Sequence, residues 1–320
     1  MNTSAHAAPS PDPIVTESIL RGLRGARPSL PSVLLYDNLG SALFEAITHL
    51  PEYELSRADA RLLEAHARDE LAALPGRLDV VELGPGGGRK ALTLLAPLCE
   101  RQGAVTFTAI DVSPGALDAC RRTVEALAGV TVRCLEDTYL EGLARAPRDA
   151  DARRLVLFLG SNLSNFDRGA AVEFLRGVRA ALAPGDALLL GTDIGTDPAR
   201  LVPAYDDALG VTAAFDRNVL ARLNREWGAD FDLAAFKHEA RWNAPERRVE
   251  MHLVAGRACE VHLCGEAFRF AQGDSIWTES SHRFDARELR AWASETGFDC
   301  EAQWFDARWP FAHSLLVARG

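Results

Sequence analysis

The sequence predicts an α/β fold, a doubly wound parallel sheet accompanied by a second, smaller α+β lobe. Three observations carry that expectation. Between residues 78 and 190 short apolar runs alternate with helical stretches, the pattern of a parallel sheet covered on both faces. A glycine cluster stands at the first strand-to-helix turn, and an aspartate, Asp111, closes the following strand. After Asp193 the alternation stops and resumes only near residue 284, as inserted material would make it do.

The elements follow in order. Residues 1–13 mix Ala, Pro, Ser and Asp without periodicity and read as a loose tail. Ser18 to Arg68 reads as helical, broken by prolines at Pro28, Pro31 and Pro51 that leave Tyr36 and Tyr53 near element ends. The strand Leu78 to Leu83 is followed by the glycines and a helix from Lys90 to Arg101. Val105 to Ile110, Val130 to Leu135, Arg154 to Leu159 and Ala187 to Leu190 are the next strands, with a helix from Pro114 to Leu127. A helical stretch then runs past Tyr205, Asn218 and Trp227, and Arg248 to Ala255 with Cys259 to Leu263 reads as a hairpin. A helix over Ala286 to Thr296 and an antiparallel pair, Phe298 to Phe305 with Ala312 to Val317, close the sheet. Residues 60–196 and 284–320 thus form the sheet domain, and residues 14–59 and 197–283 the second lobe.

Composition bounds the function. A length of 320 residues suits about two domains. Hydrophobic residues at 48% and charged ones at 25% exclude collagen-like and wholly disordered chains. Thirty-five basic against 45 acidic residues give a formal charge of -10, the wrong sign for a nucleic-acid partner. No apolar run approaches the roughly 18 residues that span a bilayer, and the N-terminus lacks the features of a secretion signal. A cytoplasmic protein without a membrane or protein partner is expected. Six cysteines without a C-x-x-C pair imply reduced thiols, and the eight histidines lack metal-site spacing, so no metal is expected.

The segment Glu82-Leu83-Gly84-Pro85-Gly86-Gly87-Gly88-Arg89-Lys90 lets a backbone approach a ligand closely. A dinucleotide fingerprint would need glycine at position 89, where Arg stands, which argues against NAD. The acidic residue ahead of the loop fits instead the E/D-x-G-x-G-x-G motif of methyltransferases. Asp111 can accept both hydroxyls of a ribose or serve as a turn residue before Pro114. In Glu136-Asp137-Thr138, after the third strand, Asp137 can take an adenine amino group or remain a solvated loop residue. Lys90 can meet a ligand carboxylate or face water.

Six segments occur in one order: Tyr36 to Phe44, Leu50 to Tyr53, Glu82 to Gly88, Gly160 to Phe166, Ala204 to Asp207 and Thr278 to Ser281. Together they resemble the histidine Nα-methyltransferases of ergothioneine biosynthesis, from about residue 15 to the C-terminus. The resemblance implies a Rossmann-like class I methyltransferase domain using S-adenosyl-L-methionine, with contacts at Gly84, Lys90, Asp111, Asp137 and Thr138. It implies L-histidine as the small-molecule substrate, held by Tyr53, Asn165 and Tyr205 with Tyr36 nearby, its imidazole read by Glu279 and Ser281. Tyr36, Tyr53 and Asn165 become the catalytic set. The chain departs from the family pattern at Ser164 and Ser280, which bears on substrate identity.

The chemistry suits these residue types. Methyl transfer from a sulfonium to an amine is an in-line displacement, so positioning outweighs nucleophile strength. A tyrosine hydroxyl, with an ordinary pKa near 10, orients better than it abstracts protons, and a wet lid hydroxyl is its plainer role. Asn165 offers a donor and an acceptor to an amino acid's ends, or caps a turn. Glu279 and Ser281, two apart on an extended segment, share a face from which Ser280 points away. A carboxylate beside a hydroxyl matches the two imidazole nitrogens, although a solvated edge strand has the same sequence. Trp242 and Trp277 are either pocket walls or core. Two further readings share these residues: the same transfer to another amino acid or imidazole-bearing metabolite, and a noncatalytic S-adenosylmethionine or amino-acid binding protein.

Overall fold

The computed structural model describes residues 12–320. Helix α1 (Pro13–Leu23) opens with the Asp12 carboxylate accepting the Ile14 N–H at 2.7 Å and with proline in its first turn. The tail expected over 1–13 therefore lies outside the described residues up to position 11, and its last two positions start a helix instead. Helix α2 (Asn38–Thr48) is capped by Asp37, whose side chain accepts the Gly40 N–H, and α3 (Glu54–Ala72) follows.

The central sheet is built from β1 (Leu78–Leu83), β2 (Val105–Asp111), β3 (Val130–Glu136), β4 (Arg153–Phe158) and β5 (Ala187–Asp193). Helices α4 (Arg89–Gln102), α5 (Pro114–Val124), α6 (Tyr139–Arg145) and α7 (Arg168–Ala180) connect them. After an insertion come α10 (Ala286–Glu295), β11 (Phe298–Phe305) and β12 (Phe311–Ala318). The strand order is β11-β12-β5-β4-β1-β2-β3; strands β1 to β5 pair in parallel, and β12 runs antiparallel to both neighbours. Successive residues face opposite layers: Val80, Leu155 and Leu157 belong to one apolar core, Val81, Val156 and Phe158 to another. Because the order reverses between β1 and β4, a crevice opens at their carboxyl ends, where sheets of this kind hold ligands.

The insertion supplies α8 (Pro198–Tyr205), α9 (Val211–Trp227), β6 (Phe236–Asn243), β7 (Arg248–Ala255), β8 (Cys259–Leu263), β9 (Glu266–Phe270) and β10 (Ser275–His282). The expected hairpin of residues 248–255 with 259–263 does not form. Strand β7 lies between β6 and β10, while β8 pairs with β9. The physical reason sits at Cys264-Gly265, whose φ angles of 52° and 83° are both positive, the backbone a two-residue hairpin turn demands. A third apolar core joins side chains from Ile19 to Leu62 with others from Leu201 to Ile276. Residues Pro28 and Leu30 also bond to the backbone of Trp277, at 2.8 and 2.9 Å, so an N-terminal segment lines the free edge of β10. No helix among the described residues is long and apolar enough to cross a membrane, and no cluster of His, Cys, Asp and Glu among them could hold a metal.

Candidate active site

Three loops meet at the carboxyl end of β1 to β3. Gly84, Gly86 and Gly88 all adopt left-handed backbone, with φ of 68°, 54° and 75°. A Cβ at Gly84 would sit 3.0 Å from Asn162 Nδ2 and one at Gly88 would sit 2.8 Å from Cys120 Sγ, whereas Gly86 faces open space. The loop is a cradle packed from behind and open in front. The Gly84 N–H donates to Ile110 O at 2.9 Å, and the Asp137 N–H to Asp111 O at 3.1 Å, which ties the loops together. Asp111 accepts the Ser113 N–H on one carboxylate oxygen, and burial pushes its pKa upward. Asp137 accepts the Thr138 N–H and pairs with Arg145, while the Thr138 hydroxyl donates to Glu141 at 2.9 Å. Glu82 is buried with one oxygen unpartnered, and burial raises its pKa to about 7. Lys90, in the first turn of α4, donates to Asp59 at 2.7 Å.

Beside the cradle lies a pocket of about 460 Å³, counted to its open mouth. Tyr36, Tyr53, Asn165, Tyr205, Glu279 and Ser281 all line it, although they come from five separate stretches of chain. The Tyr36 hydroxyl donates to Glu279 Oε1 at 3.0 Å. Burial pushes the Glu279 pKa up to about 8, and among the described residues no cation touches its carboxylate. The Tyr205 and Ser281 hydroxyls lie 2.7 Å apart, and the fully buried guanidinium of Arg283 donates to both, at 3.2 and 2.7 Å. Burial also holds the Tyr36 and Tyr53 hydroxyls well above their ordinary pKa, so neither is a tyrosinate near neutral pH. Asn165 ends a tight turn after β4 that Ser161 enters at φ 62°. The Ser161 side chain accepts the Asp193 N–H at 2.9 Å and contacts Ser164 Oγ at 2.6 Å, so Ser164 is spent inside the turn.

Over residues 15–318 the chain matches the profile of the SAM-dependent, histidine-specific methyltransferases. The chain belongs to that family. It is 40% identical over 314 residues to a histidine N-alpha-methyltransferase of Mycolicibacterium smegmatis, covering 97% of each chain. It is also 40% identical to a protein of the same name from Mycobacterium tuberculosis, covering 93% of each. Ergothioneine biosynthesis protein 1 of Neurospora crassa is 31% identical over 90% of this chain and 33% of its own length. The fold is therefore a class I methyltransferase fold and the cofactor is S-adenosyl-L-methionine.

Within this histidine-specific methyltransferase, several side chains at the site escape a reading of the sequence alone. Phe44, Phe215 and Met251 also line the pocket, and at helical or strand spacing they look like any core residue. Arg283, Asp193 and Asp59 are polar residues without a motif; only the topology brings them in. Neither tryptophan is a wall of the pocket. Trp242 packs on the third core, and Trp277 lies beneath Arg248 and Arg27 while its indole N–H donates to the Glu279 carbonyl at 2.9 Å. His238 is buried between Asp216 and the Tyr205 carbonyl, each at 2.7 Å, in a structural role. The Ser280 hydroxyl has no partner among the described residues and does not line the pocket.

Proposed function

We propose that this protein transfers up to three methyl groups from S-adenosyl-L-methionine to the α-nitrogen of L-histidine, giving hercynine for ergothioneine biosynthesis in the cytoplasm. The observation that carries the substrate is the pairing of Glu279 with Ser281 on one pocket wall. A buried carboxyl beside a hydroxyl suits the two ring nitrogens of imidazole and leaves a phenyl or indole ring without a match.

The cofactor fits the residues present. The open front of Gly86 admits a ligand, one Asp111 oxygen is free for ribose hydroxyls, and the Lys90 ammonium keeps N–H bonds beyond the one given to Asp59. Gly84, Lys90, Asp111, Asp137 and Thr138 would hold it; Asp137, committed to Arg145 and the Thr138 N–H, retains acceptor capacity for an amine. When bound, the cofactor supplies an electrophilic methyl on a sulfonium. The protein's own part is to hold a neutral amine in line with that carbon. Tyr53, Asn165 and Tyr205 fix the amino acid's backbone groups, and Tyr36 holds Glu279 toward the ring. With both tyrosine hydroxyls protonated, neither is poised to take the proton that the α-ammonium must lose before transfer. Residues 60–196 and 284–320 would form the cofactor domain, and 14–59 with 197–283 the substrate lobe. The relatives' names and the shared family support this reading.

The test is incubation with labelled S-adenosylmethionine and each common amino acid, with products located by mass spectrometry. Label on the α-nitrogen of histidine is expected. Ring-nitrogen products, or turnover only with another amino acid, would overturn the substrate.

A further inference from the structure

Asp59 is an unmarked residue of α3, yet it is fully buried at the junction of the cradle and the pocket. Its Oδ2 accepts two hydrogen bonds of 2.7 Å, from the Lys90 ammonium and from the Gly160 N–H. Its Oδ1 faces His313 Nε2 at 2.7 Å, and His313 Nδ1 faces Glu70 Oε1 at 2.8 Å. Both ring nitrogens thus meet carboxylates, so both donate and the ring is an imidazolium. Burial works against that charge, but the bonds to Asp59 and Glu70 push the His313 pKa up to about 9. Asp59 is held well below the usual carboxylate range: burial opposes this, and the Lys90 and His313 charges outweigh it.

The two groups on Oδ2 belong to different halves of the reaction. Lys90 starts the helix behind the glycine cradle, whereas Gly160 lines the pocket and leads into the turn that carries Asn165. They are also neighbours: a Cβ on Gly160 would lie 3.1 Å from Lys90 Nζ, and Gly160 adopts φ 73°. One oxygen atom therefore sets the spacing between the cofactor's lysine and the substrate's wall. In-line transfer tolerates little error in that spacing.

We propose that Asp59 is a positioning residue for methyl transfer, locking the cofactor-side Lys90 ammonium to the substrate-side Gly160 backbone, with the buried His313-Glu70 pair orienting its carboxylate toward both. The proposal rests on the reading that Lys90 holds the cofactor. Asp59→Asn keeps the shape, but with its NH2 toward Lys90 and Gly160 it sets a donor against donors, and with its NH2 toward His313 it makes that ring give up its charge so that Nε2 can accept; in either case the Asp59 charge that holds the Lys90 ammonium is lost.

The test measures S-adenosylhomocysteine and L-histidine binding by calorimetry, with kcat, for D59N, K90M and the D59N/K90M double variant. D59N is expected to weaken both ligands by about tenfold, the order of one charge-assisted hydrogen bond, and to lower kcat at saturation. In the double variant, S-adenosylhomocysteine should bind no more weakly than to K90M, because Asp59 acts on that ligand through Lys90. A purely structural role would lower the melting temperature and give additive losses. Additive losses, or D59N affinities within twofold of wild type, would overturn the proposal. K90M binding S-adenosylhomocysteine as wild type would instead defeat the cofactor reading beneath it. Should D59N not fold, H313Q serves in its place, removing the cation while keeping one donor. A fall in both affinities is then expected, and wild-type affinities would refute the idea.

Discussion

Glu279→Gln is the most informative single change, because the structure predicts opposite effects on stability and on binding. In the free site the Glu279 carboxyl is buried, touches no cation among the described residues, and has its pKa raised from 4.5 to about 8. Between those values the folded protein holds a proton that the unfolded chain has released. Stability therefore falls as pH rises from 4.5 through 8, by at most about 4–5 kcal/mol. Glutamine keeps the shape and the acceptor for Tyr36 at 3.0 Å, and it does not titrate. For a chain of 320 residues, 1 kcal/mol moves the melting point by about 1.5 °C. The variant should thus gain up to about 7 °C relative to wild type between pH 4.5 and pH 8.5. Paired calorimetric scans at the two pH values read this directly, since other groups cancel in the difference. Histidine binding should weaken by about 10- to 100-fold, the worth of a charged hydrogen bond, with S-adenosylhomocysteine unchanged within twofold. A difference in melting point that does not vary with pH, or equal loss of both ligands, would refute the reasoning. A carboxylate that costs the empty protein stability is one kept for its ligand.

Three further substitutions probe the frame around the site. Gly84→Ala forces a Cβ to 3.0 Å from Asn162 Nδ2 at φ 68°, whereas at Gly86 it meets open space. G84A should therefore lose roughly 1–3 kcal/mol in urea titration and bind S-adenosylhomocysteine less tightly, with G86A less destabilised; the reverse order would contradict the packing. Arg283→Met removes the cation 3.5 Å from buried Asp193 and the donor to Tyr205 and Ser281. A loss of about 3–5 kcal/mol is expected, and a change under about 1 kcal/mol would show that Asp193 does not depend on it.

The central sheet was legible because its inner strands β4 and β5 carry apolar runs buried on both faces, and the glycine loop because only a few residue types tolerate its backbone. The second sheet was less so. Strand β6, Phe-Lys-His-Glu-Ala-Arg-Trp-Asn, buries Phe236 and Ala240 but places His238 between them, so its inward face does not read as apolar. A sequence that hides β6 offers β7 only its neighbour in sequence as a partner. The six pocket residues were legible through a resemblance of ordered motifs, not through their chemistry alone. Asp59, His313 and Arg283 were not legible, because a buried ion pair leaves no periodicity: each half looks like a surface residue until the fold sets the halves together.

The bonds between residues 28–30 and Trp277 have a consequence for how the protein comes to exist. The edge of β10, and with it the Glu279 wall, is finished by chain made about 250 residues earlier. At synthesis rates of roughly 5–20 residues per second, those N-terminal helices wait on the order of tens of seconds for the partners that cover them. The five parallel strands of the cofactor sheet can pair as they emerge, but the amino-acid chamber waits for β10, and of the strands only β11 and β12 are made after it. A ribosome that stalls before residue 277 therefore leaves apolar helices exposed, the state for which a chaperone competes.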